Sequence, residues 1–407
     1  MDRLSDSPIT IDVLIIGGGI AGLWTLDALR RAGRSAILVE NRALGAGQTI
    51  WSQGIIHSGL KYTLAGSMTA SAQTVRDMPD LWRACLTGRS HPDLSAAGLR
   101  APCCHLWRTE SLSSKVGMIG ARVGLRTRPE TVDVAERPAV LRGCPGTVAR
   151  LDEPVVDPAR VLEAMASAWP SDILKVDERG GVEFILRQSG HVESVRLHAG
   201  GRTCVLRARV VVLCAGNGNA ALRQSARLDP DLMQVRPLRM VLVRGAPDRL
   251  PELNGHCIDG NRTRVTITSA TDRAGRRVWQ VGGEVAERGA SLAPAELLDL
   301  AKRELAEVLP GFSIQGLEWA TYDAPRAEGR TPGGKRPEDV TALTEGNVVT
   351  VWPTKLVLAP RAASLAVERV AAVLAGAGEP STSWDRSDWP KPPVALAPWD
   401  DDRPWTS

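Results

Sequence analysis

The clearest pattern of apolar and polar positions lies at residues 11–40, which read IDVLIIGGGIAGLWTLDALRRAGRSAILVE. The apolar run at 13–16 predicts a buried strand, and Ala21, Leu23, Leu26 and Leu29 follow the spacing of an amphipathic helix. A second apolar run predicts a strand that ends at Glu40. The order strand, turn, helix and strand is that of a dinucleotide-binding unit.

Three glycines and one carboxylate make this unit specific. Gly17, Gly19 and Gly22 form G-x-G-x-x-G between the first strand and the helix. The first permits a tight turn, the second lets a pyrophosphate approach the helix N-terminus, and the third allows close packing of helix and strand. Glu40 follows by about 20 residues, where a carboxylate accepts hydrogen bonds from ribose hydroxyls.

The rest of the chain predicts two interleaved domains. The apolar run that ends at Leu213 is typical of a buried parallel strand, and the alternation across 237–287 predicts an antiparallel sheet with a helix against it. Strand patterns lie within 173–213 and at 240–243, 265–268, 278–281 and 348–351, and helical patterns lie at 67–86, 157–169, 293–309 and 359–375.

Composition narrows the class of protein. A chain of 407 residues with 43% apolar side chains can bury about two domain cores, and a net charge of +4 without basic runs argues against nucleic acid. No long apolar segment or signal peptide is evident, so we expect a cytoplasmic protein. The seven cysteines lack C-x-x-C spacing; we expect reduced thiols, Cys103 and Cys104 included, and no metal site.

Five segments carry a family resemblance. Besides the glycine motif with Glu40, they are GAGQTIWSQGIIHSGLKYTL at 45–64, VVVLCAGNGN at 210–219, TYDAPRAEG at 321–329 and VVTVWPTKLVLAP at 348–360. With these segments the chain resembles the flavin oxidoreductases of the D-amino-acid oxidase and glycerol-3-phosphate dehydrogenase superfamily. It looks closest to the branch that includes the L-2-hydroxyglutarate dehydrogenases and oxidases.

The resemblance implies FAD as cofactor and an α/β fold. A Rossmann-like FAD-binding domain of the glutathione reductase type would be interleaved with an α+β substrate domain built on a mostly antiparallel sheet. The FAD-binding domain would comprise 1–95, 148–222 and 330–380, the substrate domain 96–147 and 223–329, and a Trp-rich tail at 381–407 would dock on the surface. The candidate cofactor-binding residues are Gly17, Gly19, Ile20, Ala21, Gly22, Glu40, Asn41, Thr49, Ser52, Gln53, Val182, Ala215, Gly216, Thr354, Lys355 and Leu356.

The resemblance also implies where the chemistry occurs. His57 lies in a segment that passes the flavin face in the resembling enzymes, and an imidazole is suited to accept a hydroxyl proton as hydride leaves the adjacent carbon. Alternatively, His57 only orders its loop. Lys61 and Tyr62 follow as substrate-side candidates, or as a solvated cation and a packing residue. Arg326 matches an arginine that binds a substrate anion, with a surface ion pair as the alternative.

The C-terminal loop is expected to favour reduced flavin. Thr354, Lys355 and Leu356 precede a helix, so amides and an ammonium would face the negative charge of the reduced ring; Lys355 is also a substrate-side candidate. Where many relatives have a glycine-rich loop, this chain has Trp352 and Pro353. The Gly-Gly-Glu at 282–284 is a further candidate at the cavity rim, interpreted as a strand bulge.

Only one dinucleotide unit is complete. The G-x-G-x-x-A at 216–221 is not followed by a strand that ends in Asp or Glu, so we infer that an organic substrate, not a nicotinamide, reduces the flavin. We expect hydride transfer from a small anionic substrate, a 2-hydroxy acid or polyol phosphate, to flavin N5. The alternatives are an amine or D-amino-acid oxidase, and a flavin-binding partner protein without turnover. The electron acceptor stays open among oxygen, a quinone and an electron-transfer protein.

Overall fold

The structure is a computed structural model that describes residues 9–58, 75, 77–109, 130–260, 262–376 and 384–407. Its strands are β1 Ile9–Ile16, β2 Ala36–Glu40, β3 Cys104–Arg108, β4 Glu130–Thr131, β5 Val148–Leu151, β6 Ile173–Lys175, β7 Val182–Gln188, β8 His191–Ala199, β9 Arg202–Leu213, β10 Met233–Arg236, β11 Arg239–Gly245, β12 Gly255–Asp259, β13 Arg262–Thr271, β14 Arg277–Gly282, β15 Glu318–Asp323, β16 Arg326–Gly329, β17 Thr341–Glu345 and β18 Val348–Trp352. Its α-helices are α1 Ile20–Arg31, α2 Met78–Leu86, α3 Pro158–Ala168, α4 Asn219–Ser225, α5 Glu284–Gly289, α6 Pro294–Val308 and α7 Ala359–Val373.

The first sheet has a parallel centre. In the described residues its order is β17-β18-β9-β1-β2-β6, and β7 and β8 add to β9 as an antiparallel pair. β1 pairs in parallel with β2 and β9, so that Val13 lies opposite both Ala36 and Val210. Val13 and its neighbours are apolar because both faces of this strand are covered.

Helices cover the first sheet. The helix α1 packs against α3 and α7, and Trp24 meets Trp82 of α2 edge to face with ring centroids 4.9 Å apart. Asp157 caps α3, since its carboxylate accepts hydrogen bonds from the amides of Ala159 and Arg160. The start that the sequence predicts for this helix, with Pro158 in its first turn, is confirmed.

The second sheet is mostly antiparallel, as the resemblance implies. Within the described part of the chain its order is β15-β11-β14-β13-β12-β3-β5-β4, and of these pairs β12 and β3 run parallel. The helices α5 and α6 pack on it around a core that contains Trp107, Trp279 and Trp319. β5 belongs to this sheet, and the exact domain boundaries stay a prediction.

The C-terminal residues 384–407 lie against both sheets. Trp389 is buried, and its indole donates a hydrogen bond to the carbonyl of Lys175 in β6 (2.7 Å). Trp399 is buried against side chains of β11 and β15, and Thr406 forms a bridge with Trp319. This segment therefore holds the two sheet layers to each other.

Membrane-spanning helices and cysteine pairing are two further features on which the sequence makes a prediction. None of the helices in the described residues combines the length and the hydropathy that a bilayer-spanning segment needs. All seven cysteines, Cys103 and Cys104 among them, are free thiols, as expected.

Candidate active site

The glycine turn has the close contacts that its sequence predicts. Gly17 adopts φ +113°, and a Cβ there would lie 2.6 Å from the backbone of Cys214. A Cβ on Gly22 would lie 2.0 Å from the carbonyl oxygen of Gly17. Both positions therefore need glycine, the first for the turn and the second for the packing of α1 on β1.

Polar side chains brace this turn from two sides. The Glu40 carboxylate accepts hydrogen bonds from the amides of Gly18 (2.7 Å) and Arg42 (2.9 Å). The hydroxyl of Thr49 accepts one from the amide of Ile20 at the start of α1 (3.1 Å). The loop after β2 is thus held against the helix N-terminus, where backbone amides favour a bound anion.

A cavity of about 660 Å³ opens at this turn and borders the ends of β1, β2 and β9. The predicted cofactor-binding residues that line it are Gly17, Gly19, Ile20, Ala21, Glu40, Asn41, Thr49, Val182, Ala215, Gly216, Lys355 and Leu356. Gly216 belongs to the second glycine segment, which therefore borders the same cavity. The sequence missed Arg42 and Gln48, which also line it.

A second cavity of about 520 Å³ adjoins the first. The two share Gln48, Trp51, Lys355 and Leu356 in their walls. The predicted residues Ser52, Gln53, His57, Arg326 and Thr354 line the second cavity. The predicted Lys61 and Tyr62 lie outside the described residues.

Positive charge dominates the second cavity. Its lining includes the cations Arg262, Arg326, Arg336 and Lys355 and the carboxylates Glu284 and Glu287. Glu284 pairs with Arg262, and Glu287 lies 3.8 Å from the guanidinium of Arg236 outside the lining. The four cations outnumber the two carboxylates in this lining, so the cavity favours an anion.

Arg326 reaches the second cavity because its strand is tied to the loop after β2. The amide of the next residue, Ala327, donates to the side-chain oxygen of Gln48 (3.1 Å). The nearby carboxylates Asp323 and Glu328 pair with Arg239 (2.7 Å) and Arg236 (3.0 Å) respectively. Arg326 lines the second cavity, and its role as a ligand for an anion and the alternative of an ion pair both stay predictions.

The loop after β18 has a glycine-like conformation without a glycine. Thr354 is buried at φ +64°, in the left-handed region that β-branched residues rarely adopt. The amide of Lys355 donates to the carbonyl of Pro353 (2.7 Å), and a single 3-10 turn, Leu356–Leu358, leads into α7. Burial acts to raise the pKa of the neighbouring Asp339, but the hydrogen bond from Arg361 and the charges of Arg361 and Lys355 lower it.

Two buried hydroxyls support the presence of a bound molecule between the cavities. The side-chain oxygens of Ser52 and Thr354 have no hydrogen-bond partner among the described residues, although both side chains line the second cavity. Buried hydroxyls are normally hydrogen-bonded. The hydroxyls and the glycine turn together fit a bound dinucleotide. The amide of Gln53, in contrast, donates to the carbonyls of Thr266 and Gln280 (both 2.9 Å), so it joins its loop to the second sheet.

His57 is held in place by a second segment of the chain. The amide of Ile56 donates to the carbonyl of Pro154, and that of Val156 donates to the carbonyl of Gly54 (both 2.9 Å). These bonds bring Nδ1 of His57 to 3.5 Å from Oε2 of Glu153. The imidazole is 17% exposed and lines the second cavity.

Glu153 is a buried carboxylate that the sequence analysis missed. Its Oε1 accepts hydrogen bonds from the amide and the hydroxyl of Ser58 (both 2.7 Å), and its Oε2 lies 3.9 Å from Nε2 of the buried His256. Burial acts to raise the pKa of Glu153, but His57, His256 and Ser58 lower it to about 2. No local pattern marks Glu153 or His256, because neither lies near His57 in the sequence.

One sequence interpretation is wrong. Gly283 is not a strand bulge: it has φ +79° and lies between the end of β14 and the start of α5. The positive φ lets the chain turn from strand to helix, which places Glu284 in the wall of the second cavity. The expectation that the chain has no metal site stays a prediction.

Comparisons with known proteins agree with this geometry. A family model described as FAD dependent oxidoreductase (DAO) matches residues 12–350. A probable FAD-dependent oxidoreductase of Pseudomonas aeruginosa is 38% identical over 397 residues, which cover 96% of this chain and 98% of that protein. The crystal structure of an FAD dependent oxidoreductase from the same organism aligns with a TM-score of 0.79 at 35% identity, over 97% of this chain and 98% of the other.

More distant structures share the fold. Glycine oxidase from Geobacillus kaustophilus has a TM-score of 0.63 at 17% identity, over 93% of this chain and 97% of its own. L-alpha-glycerophosphate oxidase from Mycoplasma pneumoniae, with FAD bound, has a TM-score of 0.62 at 15% identity, over 95% of this chain and 100% of its own. The expected α/β fold is confirmed.

Proposed function

This chain belongs to the FAD dependent oxidoreductase (DAO) family, with FAD as its cofactor, and from that premise we propose that it oxidises a small anionic substrate of the 2-hydroxy acid or polyol phosphate type. The observation that carries the proposal is the second cavity, because it is lined by four cations and a histidine and adjoins the dinucleotide cradle. A cavity with this charge attracts a carboxylate or phosphate and disfavours a cationic substrate.

The residues of the first cavity would hold the cofactor. The amides at the start of α1 would bind its diphosphate, Glu40 its ribose, and the loop at Thr354 and Lys355 would border its ring. When bound, FAD supplies a ring that accepts hydride at N5. Lys355, only 8% exposed, would stabilise the negative charge that the ring then carries.

Arg326 would orient the substrate. A guanidinium can form two parallel hydrogen bonds to a carboxylate or phosphate, which fixes the direction of the reacting carbon as well as binding the anion. Arg336 and Lys355 line the same cavity and would add to the attraction. The substrate would therefore enter with its anionic end toward these cations and its hydroxyl toward His57.

His57 would take the hydroxyl proton. The O–H proton would pass to the imidazole and the carbon would become a carbonyl as its C–H bond breaks, with bound FAD as the acceptor of the hydride. Such a base contributes about 10² to 10⁴ in rate. Nδ1 of His57 faces Glu153, so Nε2 lies on the side of the ring that is turned away from the carboxylate.

The resemblance of the chain to the branch that includes the L-2-hydroxyglutarate dehydrogenases and oxidases supports a 2-hydroxy acid within this class. An amine or D-amino-acid oxidase is the second candidate. Glu284 and Glu287 in the cavity wall favour it, since they could attract a substrate ammonium. Their neighbouring arginines weaken that attraction.

The test is flavin bleaching without oxygen, with 2-hydroxy acids, polyol phosphates and amino acids as substrates. We expect an anionic alcohol to bleach the flavin and an Arg326→Met variant to raise its KM by about 10² or more, because a charge-assisted pair is lost. Arg239→Met is the matched control, since Arg239 pairs with Asp323 and does not line the cavity. Bleaching by amino acids alone would establish the second candidate, and yellow protein that nothing bleaches would indicate a flavin-binding partner protein.

A further inference from the structure

We propose that Glu153 positions the base His57, and that His256 completes an imidazole–carboxylate–imidazole unit behind the substrate cavity. The inference rests on the proposed function, since it assigns His57 the proton of the substrate. It adds two residues that act on the reaction without touching the substrate, because neither Glu153 nor His256 lines the cavity.

The unit is built from three separate parts of the chain. His57 lies in the loop after β2, Glu153 follows β5, and His256 lies in β12 of the second sheet. An antiparallel bridge between Ile55 and Val155 fixes the first two segments to each other. The ring centroids of His57 and His256 are 5.4 Å apart, with the Glu153 carboxylate beside both.

The two oxygens of Glu153 have different partners. Ser58 donates twice to Oε1, whereas Oε2 lies 3.5 Å from His57 and 3.9 Å from His256. Oε2 is therefore directed at both imidazoles. A carboxylate on Nδ1 fixes the orientation of an imidazole and stabilises its protonated form, as in the Ser-His-Asp triad.

The surrounding charges make this carboxylate necessary. The cations Arg262, Arg326, Arg336 and Lys355 outnumber the carboxylates Glu284 and Glu287 in the lining of the cavity, so the lining as a whole would oppose a positive charge on the His57 ring. Glu153 is fully buried, and its contacts with His57, His256 and Ser58 lower its pKa and so favour the ionised carboxylate. It therefore supplies the negative charge that lets His57 accept a proton among these cations.

His256 acts through Glu153. Its Nδ1 lies 2.9 Å from the hydroxyl of Thr266, which fixes the ring, and its Nε2 faces Oε2. A second imidazole on the same oxygen limits the rotation of the carboxylate and shares its negative charge. We therefore expect loss of His256 to change the proton affinity of His57, although His57 lines the cavity and His256 does not.

The first test needs no substrate. Nitrogen NMR of the holoprotein labelled at its six histidines follows the protonation of each ring, with His57→Asn and His256→Asn identifying the two signals. In Glu153→Gln we expect the pH midpoint of His57 to fall by about one to three pH units, because an adjacent negative charge is lost. Asp172→Asn is the matched control: it removes a buried, ion-paired carboxylate outside the site and should leave His57 unchanged.

The second test measures anaerobic flavin reduction against pH. The rate should rise as His57 loses its proton, and in Glu153→Gln the rise should move to lower pH with a plateau reduced by about tenfold or more. Glu153→Asp keeps the charge and should recover part of the rate. Equal FAD content and circular dichroism of the variants would show that they are folded.

The outcomes separate the two proposals. An unchanged midpoint of His57 in folded Glu153→Gln would overturn the positioning role. So would one equivalent of a divalent metal in the purified protein, because an ion would then join the three side chains in place of a proton. A shifted midpoint together with full activity of His57→Asn would uphold the contact with Glu153 and remove His57 from the proposed function.

Discussion

Replacing Thr354 by glycine should stabilise the protein before FAD binds. Thr354 is buried at φ +64° after Pro353, and its hydroxyl has no partner among the described residues. Both features cost free energy in the folded state. A glycine would adopt the same backbone conformation without a Cβ and would bury no hydroxyl.

The magnitude follows from four terms. Relief of the left-handed conformation gains about 1 to 2 kcal/mol, and removal of a buried unsatisfied hydroxyl gains about 1 to 3 kcal/mol. Against this, glycine loses about 0.5 to 1 kcal/mol of chain entropy, and loss of a buried methyl group costs about 0.8 kcal/mol. We therefore expect the free energy of unfolding of the apoprotein to rise by about 2 kcal/mol.

Urea unfolding of the apoprotein and of the FAD-loaded protein is the assay. The gain should be about 1 kcal/mol smaller with FAD bound, because a hydrogen bond from Thr354 to the bound molecule is then lost. Arg227→Gly is the matched control: Arg227 also has a positive φ of +55°, but it is exposed and outside both cavities, so only the strain and entropy terms apply and the gain should be about 0.5 to 1 kcal/mol, with or without FAD. A lower midpoint for Thr354→Gly apoprotein than for the wild type would refute the reasoning about strain.

Three further predictions follow from single contacts. Gly22→Ala should abolish FAD retention, measured by visible absorbance after gel filtration, because its Cβ would lie 2.0 Å from the carbonyl of Gly17. The pKa of Glu153 is lowered to about 2, so the unfolded state binds its proton first as the pH falls below about 4.5; the unfolding free energy should decline over that range in the wild type and less steeply in Glu153→Gln. Trp389→Ala should cost about 3 to 5 kcal/mol and lower the thermal midpoint, since a buried indole and its bond to Lys175 are lost; an unchanged midpoint would contradict the docking of the tail.

The parts of the site that depend on local physics could be predicted from the sequence. Gly17 and Gly22 are recognisable because the turn, the helix start and the next strand all lie within a short stretch of sequence. The tight turn and the close packing each require a glycine within that stretch. The start of α3 at Asp157 and Pro158 is readable for the same reason, since a cap and its helix are neighbours. Local pattern therefore predicted the glycine turn and the start of α3.

The parts that depend on distant contacts could not be predicted. Glu153 is separated from Ser58 by 95 residues, and nothing in its own stretch shows that an imidazole will face it. Gly283 was misinterpreted because a glycine at a strand end fits a bulge as well as a helix start, and the packing of α5 decides between them. Thr354 was a candidate from the sequence, but its left-handed conformation could not be predicted, because that conformation is visible only in the backbone.

The chain crosses more than once between the two sheets, and Glu153 and Arg326 lie on these crossings. Glu153 lies where the chain passes from β5 in the second sheet to β6 in the first, and Arg326 lies between β15 of the second sheet and β17 of the first. A segment that crosses between two sheets has its ends fixed by both, so a side chain on it is placed relative to both layers at once. In the proposed function, the substrate lies between a cofactor on the first sheet and a wall formed by the second sheet. It therefore needs side chains whose positions are fixed relative to both sheets. We therefore expect insertions beside Glu153 to impair flavin reduction more than insertions of equal length at the exposed turn of Gly200, which joins two strands of a single sheet.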